Sequence, residues 1–204
     1  MQIYTDRLFA TMETVVTQHH ALYATIPSQG IFFEALAEKA FHLSGSPNAH
    51  IARTTANAPT HDLIVGDERV SLKTETGRST KPISISITKL CTTEREPWNA
   101  ETLIERTCNH LTRYDLLLML RAIWGESEIH YQLVDIPMDL LRLTEGSKLK
   151  EVGNRKGRRS LGGDITIDGE IAFHVHYDGS DGKCQVRNLS LARCRILGEW
   201  DQRF

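Results

Sequence analysis

Asp62, Ser71, Lys73 and Glu75 stand close together in the chain at spacings that suit metal-assisted chemistry. His61 and Asp62 precede three branched apolar residues, Leu63, Ile64 and Val65. Gly66, Asp67 and Glu68 then turn the chain, and Arg69 to Glu75 reads as a returning strand. Asp62 is thereby brought beside the middle of that strand. A period of two puts Ser71, Lys73 and Glu75 on one face. A carboxylate and an ammonium group sharing one edge can hold a hard cation and orient a water against a phosphate. Glu34 adds a further carboxylate, flanked by Phe32, Phe33, Leu36, Ala37, Ala40 and Phe41. At helical spacing it sits next to the apolar stripe, where a carboxylate is costly to bury without a partner or a metal. Two plainer readings stay open: an exposed Glu34 pairing with Lys39, and a Glu75 at a solvated strand end.

The elements that must position these groups follow in an α/β order. Residues 2 to 24 read as a helix with Ile3, Leu8, Met12, Val15, Val16 and His19 on or near one face, ended by Pro27 to Gly30. A second helix runs from Ile31 to about Leu43, and Ser44 to Pro59 is a polar loop entering the hairpin. After the loop Thr76 to Lys81, residues 82 to 90 alternate cleanly and predict a third strand, with Ile83, Ile85 and Ile87 on one side. Asn99 to Trp124 reads as the longest helix, apolar around much of its girth. Ile129 to Val134 is a fourth strand, and Ile136 to Leu143 a short helix with Pro137 near its first turn.

Composition narrows the classes. With 204 residues, 40% of them hydrophobic, the chain can bury a core as a single domain, with length enough for a small appended subdomain as the alternative. Net charge is −2, so nucleic-acid binding must come from local patches. Cys91, Cys108, Cys184 and Cys194 form no C-x-x-C pair and no Cys/His ligand spacing, and read as reduced thiols of a cytoplasmic protein. The apolar run Leu116 to Leu120 is far too short to span a membrane, and neither a signal peptide nor repeats are visible.

The last sixty residues carry recognition chemistry. Lys148, Lys150, Arg155, Lys156, Arg158 and Arg159 against Glu151 give a local charge of +5, interrupted by Gly153 and Gly157. Such a loop can follow a phosphate backbone, although a solvated surface has the same composition. Two alternating strands follow, Asp164 to Ile167 and Ile171 to Tyr177, and then Lys183 to Leu189. On the last of these, Gln185, Arg187 and Asn188 are residue types that pair bidentately with adenine or guanine edges. His174 and His176 share a strand face, as metal ligands do, but no third ligand lies near them in sequence.

The hairpin from Asp62 to Lys73 resembles the PD-(D/E)xK nuclease superfamily, whose best-known members are type II restriction endonucleases. His61 stands where that pattern usually has proline, and Ser71 where it has a metal-binding acid. A Ser-x-Lys variant occurs in restriction enzymes of this type, with the missing carboxylate supplied from elsewhere in the fold. Glu34 and Glu75 are the two replacements this chain offers, and family members often carry a metal-associated Glu on such a helix. The resemblance implies a restriction-endonuclease-like core, a mixed β-sheet flanked by helices, within one endonuclease domain. Residues 1–145 would form its catalytic core and 146–204 a β-rich recognition region. It implies Mg²⁺ held by Asp62 with Glu34 or Glu75, Lys73 and Ser71 completing the catalytic set, and double-stranded DNA as substrate. The activity expected is that of a type II site-specific deoxyribonuclease, acting as a homodimer on a palindromic site. A repair or junction-resolving nuclease of the same fold, and a DNA-binding protein with an inactive site, remain alternatives.

Overall fold

The computed structural model describes residues 3–23, 31–46, 48–51, 62–93, 97–155 and 158–203; the side chains of Ile31, Asn154, Arg155 and Arg158 are outside the description. The chain forms two compact units. The first comprises Met1–Pro82, Arg113–Ile136 and Cys194–Phe204, and the second Ile83–Thr112 and Pro137–Arg193. The boundary at 145/146 drawn from sequence falls inside the second unit.

In the first unit, α1 (Asp6–Leu22) starts at Thr5, whose hydroxyl accepts from the Leu8 amide at 3.2 Å. Side-chain oxygen at this position satisfies an amide that the helix itself cannot. Helix α2 (Ile31–Leu43) follows. A six-stranded sheet has the order β1 (His50–Ile51), β2 (Leu63–Val65), β3 (Glu68–Glu75), β5 (Leu116–Trp124), β6 (Glu128–Ile136) and β11 (Arg195–Arg203). All neighbours are antiparallel except β3 and β5, which run parallel, so the sheet is mixed. The expectation of a mixed sheet carrying helices is borne out. Leu8, Met12, Val15 and Val16 of α1 and Phe33, Ala37, Ala40 and Phe41 of α2 recur at three- and four-residue intervals. They pack on Leu63, Val70, Leu72, Leu118, Leu120, Tyr131 and Leu133, the residues of one sheet face.

The second unit holds a five-stranded antiparallel sheet in the order β4 (Ser84–Thr92), β10 (Lys183–Ser190), β9 (Glu170–Asp178), β8 (Arg158–Ile167) and β7 (Lys150–Arg155). Its buried face, with Ile85, Ile87, Phe173, Val175, Tyr177 and Val186, shares this unit with α3 (Ala100–Leu111) and the short α4 (Met138–Arg142). Thr107 of α3 bonds the Tyr177 hydroxyl at 2.9 Å. Asp168 and Gly169, at φ of +52° and +84°, make the tight turn between β8 and β9, the left-handed pair that a two-residue hairpin favours. The four cysteines are free.

Four elements differ from the sequence reading. Helix α1 is shorter, starting at Asp6. The long helix expected over 99–124 ends at Leu111, and Leu116–Trp124 is strand β5. Strand β5 is buried from Leu117 to Ala122, so apart from Arg121 its residues are apolar, and such a run has no period that separates strand from helix. The strand expected over 82–90 runs over 84–92 and pairs with β10 in the second sheet. Within the basic stretch, Lys150–Arg155 and the pair Arg158 and Arg159 are paired strand, parts of β7 and β8, where a loop was expected. Among the described residues, no helix is long and apolar enough to cross a membrane.

Candidate active site

Strands β2 and β3 pair with Leu63 opposite Val70 and Val65 opposite Glu68. Gly66 opens the two-residue turn between them at φ +62°, a conformation that an L side chain rarely adopts. The pairing continues one residue outward, since the Asp62 amide donates to the Val70 carbonyl at 2.9 Å. This places the Asp62 carboxylate against the return strand. Its Oδ2 accepts from the Leu72 amide at 2.7 Å and the Ser71 hydroxyl at 3.2 Å. Lys73 Nζ lies 3.9 Å from the same oxygen, and donates to Ser71 Oγ at 2.9 Å and the Leu72 carbonyl at 3.2 Å. Asp62, Ser71 and Lys73 therefore touch, as expected. Ser71 links carboxylate and ammonium, where an acid in its place would bring a second negative charge.

Glu75 points to different work. Its Oε2 accepts from Arg121 Nε at 2.8 Å, and Arg121 is the largest fully buried side chain, at 0% exposure. The parallel register sets these two residues directly opposite. Arg121 also donates to Gln132 Oε1 at 2.5 Å and to the Lys81 carbonyl at 2.6 Å. From Gln132 the chain of polar contacts crosses to β11, where Glu199 accepts at 2.7 Å. It ends at His130, whose two ring nitrogens lie 2.8 Å from Asp201 and 3.2 Å from Glu199. Burial lowers the His130 pKa, but hydrogen bonds to the two carboxylates outweigh it and leave the imidazole above its usual value. Sequence reasoning did not single out Arg121 as the partner of Glu75. Its signal was a cation inside an otherwise apolar run, where a partner of opposite charge is needed.

The same unit carries a second ion pair that sets the frame. Arg69 Nε and Nη2 grip both oxygens of Asp115 at 2.9 and 2.7 Å, and the backbone amides of Arg69 and Asp115 complete the link. The start of β5 is thereby held beside β3.

Glu34 is 4% exposed, in the first turn of α2, the helix that packs on β2 and β3. Among the described residues no three His, Cys, Asp or Glu side chains gather into a metal-binding group. The structure unites Asp62, Ser71 and Lys73, and gives Glu75 to Arg121. His61 lies outside the described residues. The donor set still fits a hard cation: Asp62 Oδ1 accepts no hydrogen bond from the described residues, and Mg²⁺ is commonly held by one or two carboxylates while keeping several waters.

In the second unit Gln185 and Arg187 lie on the half-exposed face of β10, opposite His176 and His174 of β9. Gln185 Oε1 accepts from Arg187 Nε and Nη2 at 3.0 and 2.6 Å. Asn188, at φ +52°, forms the bulge between β10 and β4 and is exposed. His174 bonds Asp164, while burial and then the Arg187 charge keep His176 below its usual pKa. Among the described residues neither joins a metal-binding group. Lys148 and Lys150 are exposed, and Arg159 pairs with Glu151 at 3.1 Å. Lys156 and the side chains of Arg155 and Arg158 lie outside the described residues.

A carboxylate and a lysine joined on a hairpin of a mixed sheet define a class, and comparison with known proteins assigns it. Residues 2–202 match the SmaI family of type II site-specific deoxyribonucleases, and the chain belongs to that family. It is similar to the type II restriction enzyme SmaI of Serratia marcescens, 28% identical over 206 residues, covering 98% of this chain and 81% of the relative. A solved restriction endonuclease in complex with substrate DNA covers 91% of this chain and 82% of its own, at 16% identity and a TM-score of 0.33. The resemblance to type II restriction endonucleases is borne out, and the family it left open is now specified. The protein is a site-specific DNA endonuclease, of a class that requires a divalent metal.

Proposed function

We propose that this endonuclease cleaves double-stranded DNA in a Mg²⁺-dependent reaction centred on Asp62, Ser71 and Lys73. The contact of these three side chains at Asp62 Oδ2 is the observation that carries the reading. When bound, Mg²⁺ supplies positive charge that polarises the phosphoryl group and acidifies the attacking water. Asp62 offers Oδ1 to the cation, its Oδ2 being fixed by the Leu72 amide. Lys73 orients the water or neutralises the charge that grows on the phosphate oxygens. Ser71 keeps the ammonium group in place through Oγ. The water oxygen forms the new bond to phosphorus, the bond to the leaving sugar oxygen breaks, and no covalent link to the protein is needed.

Glu34 is the second carboxylate in this reading. Glu75 is held by a buried guanidinium and contributes by positioning β3. The second unit supplies recognition: Arg155, Lys156, Arg158 and Arg159 for phosphates, and Gln185, Arg187 and Asn188 for base edges. Two copies form a homodimer, whose twofold axis matches a palindromic site. A plasmid digest with Mg²⁺ tests the mechanism. Asp62→Ala and Lys73→Ala should each abolish the discrete bands while leaving duplex binding within about tenfold, because the lost groups act in the transition state. Retained cleavage in either variant removes the hairpin from the mechanism.

A further inference from the structure

The segment leaving β3, Thr76 to Lys81, is held in one shape by contacts that the cleavage mechanism does not use. The Trp124 indole donates to the Thr76 carbonyl at 3.1 Å. The Thr80 amide donates to the Gly77 carbonyl at 3.0 Å, and its hydroxyl lies 2.8 Å from that oxygen and 3.3 Å from the Glu75 carbonyl. Buried Arg121 takes the Lys81 carbonyl at 2.6 Å. On this rigid loop Gly77, Arg78, Ser79 and Lys81 are exposed. The Arg78 guanidinium carbon sits 4.4 Å from the centre of the Trp124 ring. An arginine stacked on an aromatic face keeps its donors at the rim of its own plane, and its side-chain freedom is already reduced before a ligand arrives. The loop carries two cations and no acid. Among the described residues neither Arg78 nor Lys81 forms an ion pair.

We propose that this loop is a backbone clamp, with Arg78 and Lys81 each binding a DNA phosphate a few nucleotides from the one cleaved. The proposal rests on the reading of β3 as the catalytic strand. Strand rise of about 3.3 Å per residue puts Thr76 about 10 Å from Lys73 along the chain. That matches the axial rise of about three nucleotides of one strand. Arginine suits this role because its fork meets phosphate oxygens two at a time.

The test is equilibrium binding of the intact protein to a random-sequence duplex, without divalent metal, over a series of salt concentrations. Arg78→Ala with Lys81→Ala should lower the slope of log K against log salt by about 1.8, from a slope of about 0.9 per phosphate. At 0.1 M salt that is a loss of about 60-fold, with the circular dichroism spectrum unchanged. Arg78→Lys keeps the charge but not the fork, and should weaken binding while preserving the slope. An unchanged slope in the double variant overturns the clamp. Because the assay contains no metal and reads no cleavage, it is independent of the outcome at Asp62.

Discussion

Replacing Glu75 by alanine removes the carboxylate that faces the Nε of Arg121, a side chain with no solvent exposure. Arg121 cannot recover that charge from water, and Gln132 and the Lys81 carbonyl, to which it also donates, are neutral. Breaking a buried pair from one side costs about 3–5 kcal/mol, which is a large part of the 5–15 kcal/mol that holds a typical protein folded. Glu75→Gln keeps an acceptor but loses the charge, and should cost less, about 1–3 kcal/mol. Replacing both partners, with Glu75→Leu and Arg121→Met, should recover most of the loss, since the desolvation cost of both ions disappears with their attraction. Urea unfolding of the four proteins reads these differences as midpoint shifts at constant slope. The same set assayed for cleavage across Mg²⁺ concentrations should show Glu75→Gln with ordinary metal dependence. A Glu75→Ala protein as stable as the parent would refute the buried-pair reasoning. A stable Glu75→Gln protein that needs far more Mg²⁺ would make Glu75 a metal ligand after all.

The complementary expectation is that Glu34→Gln, folded by circular dichroism, is inactive in the plasmid digest; full activity would leave Asp62 without the proposed second carboxylate. Arg187→Ala should weaken binding to the cleaved sequence by about 1–3 kcal/mol and leave random duplex nearly unaffected, as titration of both duplexes will show. Equal losses on both would mean that Arg187 touches backbone. His130 titrates above its usual value because Asp201 and Glu199 favour the imidazolium, against the effect of burial. Its contribution to stability is therefore fully present below the unfolded pKa of about 6.5, and is lost as pH rises through the higher folded value. Denaturation of parent and His130→Gln proteins should show a gap below about pH 6.5 that closes toward alkaline pH; a gap that widens would contradict the assignment.

Asp62 to Glu75 was legible from sequence because everything that builds it is local. A glycine turn joins two short runs, and the period of two then assigns Ser71, Lys73 and Glu75 to one face without reference to the rest of the chain. Helices α1 and α2 were legible for the same reason, their apolar stripes being readable at three- and four-residue spacing. Leu116–Trp124 was not. A strand covered on both faces has no alternation, and its parallel partner β3 lies 46 residues upstream, a distance over which no local preference acts. The same long-range pairing decided that Glu75 faces Arg121, so that one of two candidate carboxylates is held by a buried cation. It also decided that β4 joins β10, and that the C-terminal strand β11 completes the first sheet beside β6. Local chemistry named the candidate groups, and tertiary pairing, through burial and the need to satisfy buried charge, decided which of them a buried cation holds.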